Sequence, residues 1–117
     1  MTKKSTQYDL EERTFKFARD VREFVKKLPR TIANIEDSKQ LIRSSGSVGA
    51  NYIEANEALS KKDFMMRIKI SRKEAKESRF WLRLLDVNQE LESERQYLIN
   101  EVIELKNILS TILRKSI

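Results

Sequence analysis

The stretch from Asp63 to Leu85 constrains the fold most, because its apolar and small residues recur at helical spacing on two sides. The row predicted to face a core consists of Phe64, Ile68, Ser71, Ala75, Ser78, Leu82 and Leu85. A second row lies on roughly the opposite side and consists of Met66, Ile70, Trp81 and Leu84. A helix that is apolar on two sides must be covered on both. We therefore expect the second row, with Phe80, to lie in an interface between copies of the chain.

Positive charge is concentrated in the same stretch. The chain has a formal net charge of +6, and residues 61–83 hold nine Lys or Arg against three Asp or Glu, a balance of +6. The rest of the chain therefore sums to zero. We expect most of these cations to lie on one flank of the helix, between the two apolar rows: Lys62, Lys69, Arg72, Lys73, Lys76, Arg79 and Arg83. Asp63, Glu74 and Glu77 fall toward the other flank.

The composition of the whole chain fits an all-α protein. Glycine and proline occur only twice and once in 117 residues, and 36% of the residues are charged, a balance typical of long helices with solvated faces. This length fits a single domain with one core. The predicted helices span 9–28, about 37–58, about 61–87 and 93–116, and residues 1–8 are expected to be disordered. Short connections favour an antiparallel up-down-up-down four-helix bundle.

Capping residues mark the predicted helix starts. The predicted N-caps are Asp9 for helix one, Thr31 or Asn34 for helix two, Ser60 for helix three and Ser93, with Gln96 completing a capping box, for helix four. Helix two also contains Gly46 and Gly49, which favour close packing against another helix. The alternative, a phosphate-cradling loop, lacks the preceding strand and the Gly-Lys-Ser/Thr ending that such a loop requires.

Two absences narrow the chemistry. The chain has neither cysteine nor histidine, which removes disulfides, thiolate metal sites, the commonest general base and the usual metal ligand. We expect no cofactor, no metal and no catalytic residue. The first residues lack the apolar core of a signal peptide, and no stretch approaches the ~20 apolar residues of a membrane span. A cytoplasmic protein without a membrane role is expected.

Two motifs make the chain recognisable. They comprise Arg43, Ser44, Ser47, Asn51 and Glu54 in helix two, and Lys73-Glu74-Ala75, Glu77 and Trp81-Leu82 in helix three. Over nearly its whole length the chain resembles the 23S rRNA intervening-sequence (S23) family of bacterial four-helix-bundle proteins. It departs from the commoner family pattern, Asn-Ile-x-Glu-Gly, at Tyr52 and Ala55.

The resemblance implies an antiparallel bundle that assembles into a ring-like homopentamer. The motif residues interpreted as structural are Arg43, Ser47, Asn51, Glu54, Glu74 and Glu77. The accessory variability protein of diversity-generating retroelements is similar in fold to this family, and it is a basic pentamer that binds nucleic acid and a reverse transcriptase. Fold analogy alone extends that role to the present chain.

Three functional hypotheses remain open. In the first, the basic flank of helix three contacts nucleic-acid phosphates, and Phe80 is also placed to stack on a base. The simpler alternative is that the flank is solvated, or that Glu101 and Glu104 of an adjacent subunit neutralise it. In the second, the oligomer is a scaffold for a protein partner. In the third, the pairs Glu54/Glu57 and Glu74/Glu77 hold magnesium in a nucleotide pyrophosphohydrolase, but helical spacing does not make the four converge.

Overall fold

The computed structural model describes the backbone of residues 6–117 and the side chains of residues 10–117. Over this range the chain forms no strand and four α-helices: α1 (Thr6–Val25), α2 (Ile32–Asn56), α3 (Lys61–Leu84) and α4 (Glu92–Ser116), the last preceded by a 3₁₀ turn, Gln89–Leu91. The all-α class and the four helices are confirmed. Of the segment expected to be disordered, residues 1–5 lie outside the described residues, and residues 6–8 form the first turn of α1.

The four helices pack as neighbours in sequence order, and α1 closes the arrangement against α4. Contacts between α2 and α3 run in opposite chain directions: Arg43 pairs with Glu77, whereas Asn51, two turns later, accepts a hydrogen bond from Arg67. The two helices are therefore antiparallel. Within the described residues α1 and α3 do not pack on each other, so they lie diagonally opposite.

The core follows the periodicity of the sequence. In α3 and just beyond it, the predicted inner row is buried at Ile68, Ser71, Ala75, Ser78, Leu82 and Leu85, and half-buried at Phe64. The buried face of α4 consists of Leu98, Ile99, Val102, Leu105, Leu109 and Leu113. Each large apolar side chain removed from water stabilises the fold by about 1.5–3 kcal/mol. The helical period thus accounts for the inner faces of both helices.

Small residues bring α2 close to its neighbours. The buried hydroxyls of Ser44 and Ser78 lie 2.9 Å apart, and Ser71 donates a hydrogen bond of 2.7 Å to the backbone carbonyl of Val48. On the other side of α2, a Cβ at Gly49 would lie 2.7 Å from Thr14 Oγ1. At Gly46 nothing lies within 4 Å of such a Cβ. Close packing is therefore confirmed for Gly49 and wrong for Gly46.

The first two helices begin earlier than predicted. α1 is already helical at Thr6, so Asp9 is not its N-cap. α2 begins at Ile32 rather than near residue 37, and Thr31 is its N-cap, accepting a hydrogen bond of 3.1 Å from the backbone N–H of Asn34. Asn34 itself is not a cap. It lies buried inside the first turn of α2.

The other helix ends differ less. Ser60 caps α3 as predicted, accepting a hydrogen bond of 3.0 Å from the N–H of Asp63. Ser93 is not a cap, because α4 begins at Glu92 after a 3₁₀ turn that is capped by Asn88. Ile53 near the end of α2 and Leu59 just after it are 48% and 100% exposed, so neither contributes to the buried face of the bundle.

Candidate nucleic-acid interface

The predicted cations of α3 carry their charge without an acidic partner. Arg72 is half-buried and the other six are exposed: Lys62, Lys69, Lys73, Lys76, Arg79 and Arg83. Among side chains 10–117, none of the seven forms an ion pair. The same holds for Lys61 and Arg67, although Arg67 donates a hydrogen bond of 3.2 Å to Asn51. The excess positive charge of the chain is therefore left unneutralised on one helix.

Several cations outside α3 do form ion pairs. Arg13 of α1 binds Glu101 of α4 through two hydrogen bonds of 3.2 and 2.9 Å and also contacts Glu104. Lys27 pairs with Glu94 at 2.9 Å. Glu101 and Glu104, which the sequence suggested as partners for α3 in an adjacent subunit, are thus bound to Arg13 of the same chain.

Two of the three carboxylates of α3, those of Glu74 and Glu77, are held against α2. Arg43 lies 2.7 Å from Glu77 and 3.5 Å from Glu74, and the indole N–H of Trp81 donates a hydrogen bond of 3.1 Å to Glu77. The hydrogen bond from Trp81, followed by the one from Arg43 and by the charges of Arg43 and Lys73, lowers the pKa of Glu77. These contacts keep the charges of Glu74 and Glu77 on the side of α3 that faces α2.

The structure divides the predicted basic flank into two sets. Lys76 and Arg79 line a groove between α3 and α4, and helical spacing places Arg72 and Arg83 one turn away on the same side; we name these four the α3/α4 edge. The other three continue the same side of α3 farther from α4, with Lys62 and Lys69 at heptad spacing from Lys76; we name Lys62, Lys69 and Lys73 the outer face. By helical spacing the seven cations still occupy one continuous side of α3, and Lys76 and Arg79 are the two that line the groove with α4.

Sequence reasoning missed Lys106 of α4. Its side chain lines the same groove as Lys76 and Arg79, and it too forms no ion pair within the described residues. Nothing local distinguishes Lys106 from the other cations of α4. Its role depends on the register between α3 and α4, which packing sets and a single sequence does not display.

The second apolar row is also divided. Ile70 and Trp81 are half-buried toward α2, and Trp81 packs edge-to-face on Phe80 with 4.9 Å between ring centroids. Met66, Phe80 and Leu84 are about half exposed, at 47%, 54% and 50%. Three large apolar side chains thus remain uncovered beside the outer-face lysines. Their role in an interface between subunits stays a prediction.

The residues of the family motif make contacts within the chain. Asn51 donates a hydrogen bond of 3.0 Å to the carbonyl of Ser47 in addition to accepting one from Arg67. Arg43 binds Glu74 and Glu77, in agreement with their structural interpretation. The exposed side chain of Glu54 forms no ion pair within the described residues.

The carboxylates considered for magnesium do not assemble. Glu54 and Glu57 are exposed on α2 and at its end, whereas Glu74 and Glu77 are bound to Arg43. Among the described residues no three acidic side chains lie close enough together to hold a metal ion. In the same part of the chain, each helix is too short or too polar to cross a bilayer.

Together these features define a class: antiparallel four-helix proteins whose third helix presents unpaired positive charge. Residues 6–111 match the family described as 23S rRNA-intervening sequence protein. The chain belongs to that family, as its motifs predicted.

Comparison with solved structures supports the fold. The chain is similar to the crystal structure of a protein with unknown function from the S23 ribosomal protein family of Bacteroides thetaiotaomicron. The TM-score is 0.82 and the sequence identity 29%, over 94% of this chain and 99% of the other. No curated protein is significantly similar to the chain.

Proposed function

We propose that this protein is a non-enzymatic nucleic-acid-binding protein whose α3 cations contact the phosphates of RNA or DNA. The supporting observation is that, among the described side chains, the cations of α3 form no ion pair, while every paired cation lies outside α3. A phosphate neutralises an unpaired cation and releases counterions, whereas a paired cation must first give up its carboxylate. Binding of this kind is strong at low salt and reads little sequence.

We further propose that the protein acts as a ring of identical subunits, with five as the family resemblance implies. A ring of more than two subunits needs two different surfaces on each subunit. Two exposed apolar surfaces support this: Met66, Phe80 and Leu84 on α3, and a groove between α1 and α2 where Phe15 and Ile53 are 58% and 48% exposed. Ring assembly would multiply the basic surface and so strengthen binding to a long polyanion.

A binding assay with charge-matched variants tests the proposal. Fluorescence anisotropy with a labelled 20-nucleotide RNA and a labelled DNA duplex, at low salt, compares the wild type with the triple variant Lys69→Gln, Lys73→Gln, Lys76→Gln. We expect the triple variant to bind at least about tenfold more weakly, because three phosphate contacts are lost.

The control variant carries Lys16→Gln, Lys26→Gln and Lys39→Gln. It removes the same charge, but from lysines that pair with neighbouring carboxylates on α1, just after α1 and on α2. We expect its affinity to stay close to that of the wild type. Equal losses in the two variants would show that only net charge matters, and absence of wild-type binding at low salt would remove the proposal.

A scaffold for a protein partner is the second candidate. The observation that favours it is the exposed apolar set Met66, Phe80 and Leu84, which a partner could cover instead of another subunit. A partner that co-purifies with the protein after nuclease treatment, and is lost in Phe80→Asp, would favour the scaffold.

A further inference from the structure

We propose that the groove between α3 and α4 is a binding site for a backbone phosphate, formed by Lys76 and Arg79 of α3 and Lys106 of α4. This inference rests on the proposed function and assigns it a specific location. The phosphodiester group common to RNA and DNA is the ligand.

The size and lining of the groove fit one phosphate. Its volume is about 120 Å³, roughly the room of four water molecules at ~30 Å³ each, and a phosphate has four oxygens. Its base contains the buried residues Ala75 and Val102, with half-buried Ile103 beside them. No carboxylate lines it. A single small anion therefore has space and no acidic competitor.

The charges around the groove need an anion. Lys76, Arg79 and Lys106 come from two helices and line one small space, and each is without an ion pair among the described side chains. Like charges held together repel, and the repulsion is relieved when an oppositely charged group binds between them. Arg79 offers a planar guanidinium suited to two phosphate oxygens, while the two lysines act as point charges.

The α3/α4 edge extends beyond the phosphate-binding site in both directions along α3. Arg72 lies on the side of Lys76 toward the N-terminus of α3, and Arg83 lies beyond Arg79. At 1.5 Å per residue, Arg72 and Arg83 are about 16 Å apart along the helix. The phosphates on either side of the one bound in the groove would contact these two arginines. Lys73 does not line the groove, so it serves as a comparison within α3.

Three single variants test the proposed phosphate-binding site. Lys106→Gln removes the α4 cation from the groove, Lys115→Gln removes an exposed cation elsewhere on α4, and Lys73→Gln removes one from the outer face. The probes are labelled 12-nucleotide single strands of RNA and DNA, measured by anisotropy at several salt concentrations. Lys73 and Lys115 are exposed and Lys106 is partly buried, so thermal melting followed by circular dichroism is used to confirm that each variant folds.

We expect Lys106→Gln to weaken binding about tenfold, because a charged hydrogen bond is lost. The slope of log K against log salt should also become shallower by about 0.7. Lys115→Gln should change the affinity less than about twofold, and Lys73→Gln should cost less than Lys106→Gln. Losses should be equal on RNA and DNA, because both present the same phosphodiester.

Two outcomes would contradict the phosphate-binding site while leaving the proposed function intact. One is wild-type binding that Lys106→Gln and Lys115→Gln weaken equally. The other is a loss of affinity in Lys106→Gln that is confined to RNA or to DNA. No wild-type binding at all would instead overturn the proposed function.

Discussion

Two glycines three residues apart show how environment decides the role of a residue. A Cβ at Gly49 would meet Thr14 Oγ1 at 2.7 Å and Thr14 Cβ at 3.0 Å, while a Cβ at Gly46 would have no neighbour within 4 Å. Both glycines lie inside α2, where each costs about 1 kcal/mol relative to alanine. Only Gly49 gains a close helix contact in return.

The substitutions Gly46→Ala and Gly49→Ala should therefore act in opposite directions. Gly46→Ala should raise the free energy of unfolding by about 0.5–1 kcal/mol through helix propensity alone. Gly49→Ala should lower it by about 1 kcal/mol or more, because buried Thr14 must move and overpacking exceeds the propensity gain. Urea denaturation measures both. A stabilising Gly49→Ala would show that α1 and α2 separate easily.

Asn34 shows why residue type alone misled the prediction of a helix start. Its amide donates hydrogen bonds of 3.0 Å to the carbonyl of Pro29 and 2.9 Å to that of Asp86, and its oxygen accepts one of 2.9 Å from the N–H of Asp86. It thereby joins the α1–α2 connection to the α3–α4 connection. Asparagine is a common cap, but here its partners are distant in sequence, and a local pattern does not contain them.

At the scale of the helices, periodicity predicted α3 well and the start of α2 poorly. The inner row of α3 is continuous, and burial follows it. The first turn of α2 has the reverse arrangement, since Ile32 is 84% exposed and Ile35 38% exposed, while polar Asn34 is buried. The hydrophobic period therefore carries no helix signal there. Thr31, considered as a cap, was the informative residue.

The same distinction applies to the candidate site. The basic character of α3 and the inner position of its small residues follow from sequence and the helical period. Its division into an outer face and an α3/α4 edge, and the arrival of Lys106 in the groove, depend on the packing of α4. The contacts of Glu101 and Glu104 with Arg13 of α1 likewise depend on helix packing. These contacts join residues far apart in the chain.

The contact of α2 with α3 should make stability depend on pH through Glu77. Its pKa lies below the usual value near 4.5, mainly because of the hydrogen bond from Trp81 and then the one from Arg43. A carboxylate with a lowered pKa in the folded state stabilises above its unfolded pKa, and that stability is lost as pH falls through the folded pKa. Glu77→Gln should therefore be less stable than wild type at pH 7.

The difference between wild type and Glu77→Gln should shrink as the pH falls below about 4.5. Urea midpoints at pH 7, 5, 4 and 3 measure it. Glu90→Gln, at an exposed position in the 3₁₀ turn, is the control. A difference that stays constant from pH 7 to pH 3 would mean that the charge of Glu77 does not contribute.

At the scale of the whole molecule, each of the two apolar surfaces should be necessary for assembly. Phe80→Asp disrupts the α3 surface, and Phe15→Asp disrupts the α1/α2 groove. If a ring joins one surface to the other, each variant alone should be a monomer by light scattering. An equimolar mixture should form dimers only, because each variant retains one intact surface. Tyr97→Asp, at an exposed aromatic of α4, should leave the oligomer unchanged.

An oligomer unaffected by Phe15→Asp would exclude the α1/α2 groove from the interface and favour contacts between α3 helices. A monomeric wild type would exclude the ring altogether.

The salt dependence of nucleic-acid affinity tests the central claim most directly. The claim is that unpaired cations of α3 bind backbone phosphates, which requires log K to fall linearly with log salt, by about 0.9 for each phosphate neutralised on duplex DNA. We predict that the triple variant Lys69→Gln, Lys73→Gln, Lys76→Gln has a shallower slope by about 2–3, while the variant lacking Lys16, Lys26 and Lys39 keeps the wild-type slope. The same slope in all three proteins would contradict the account.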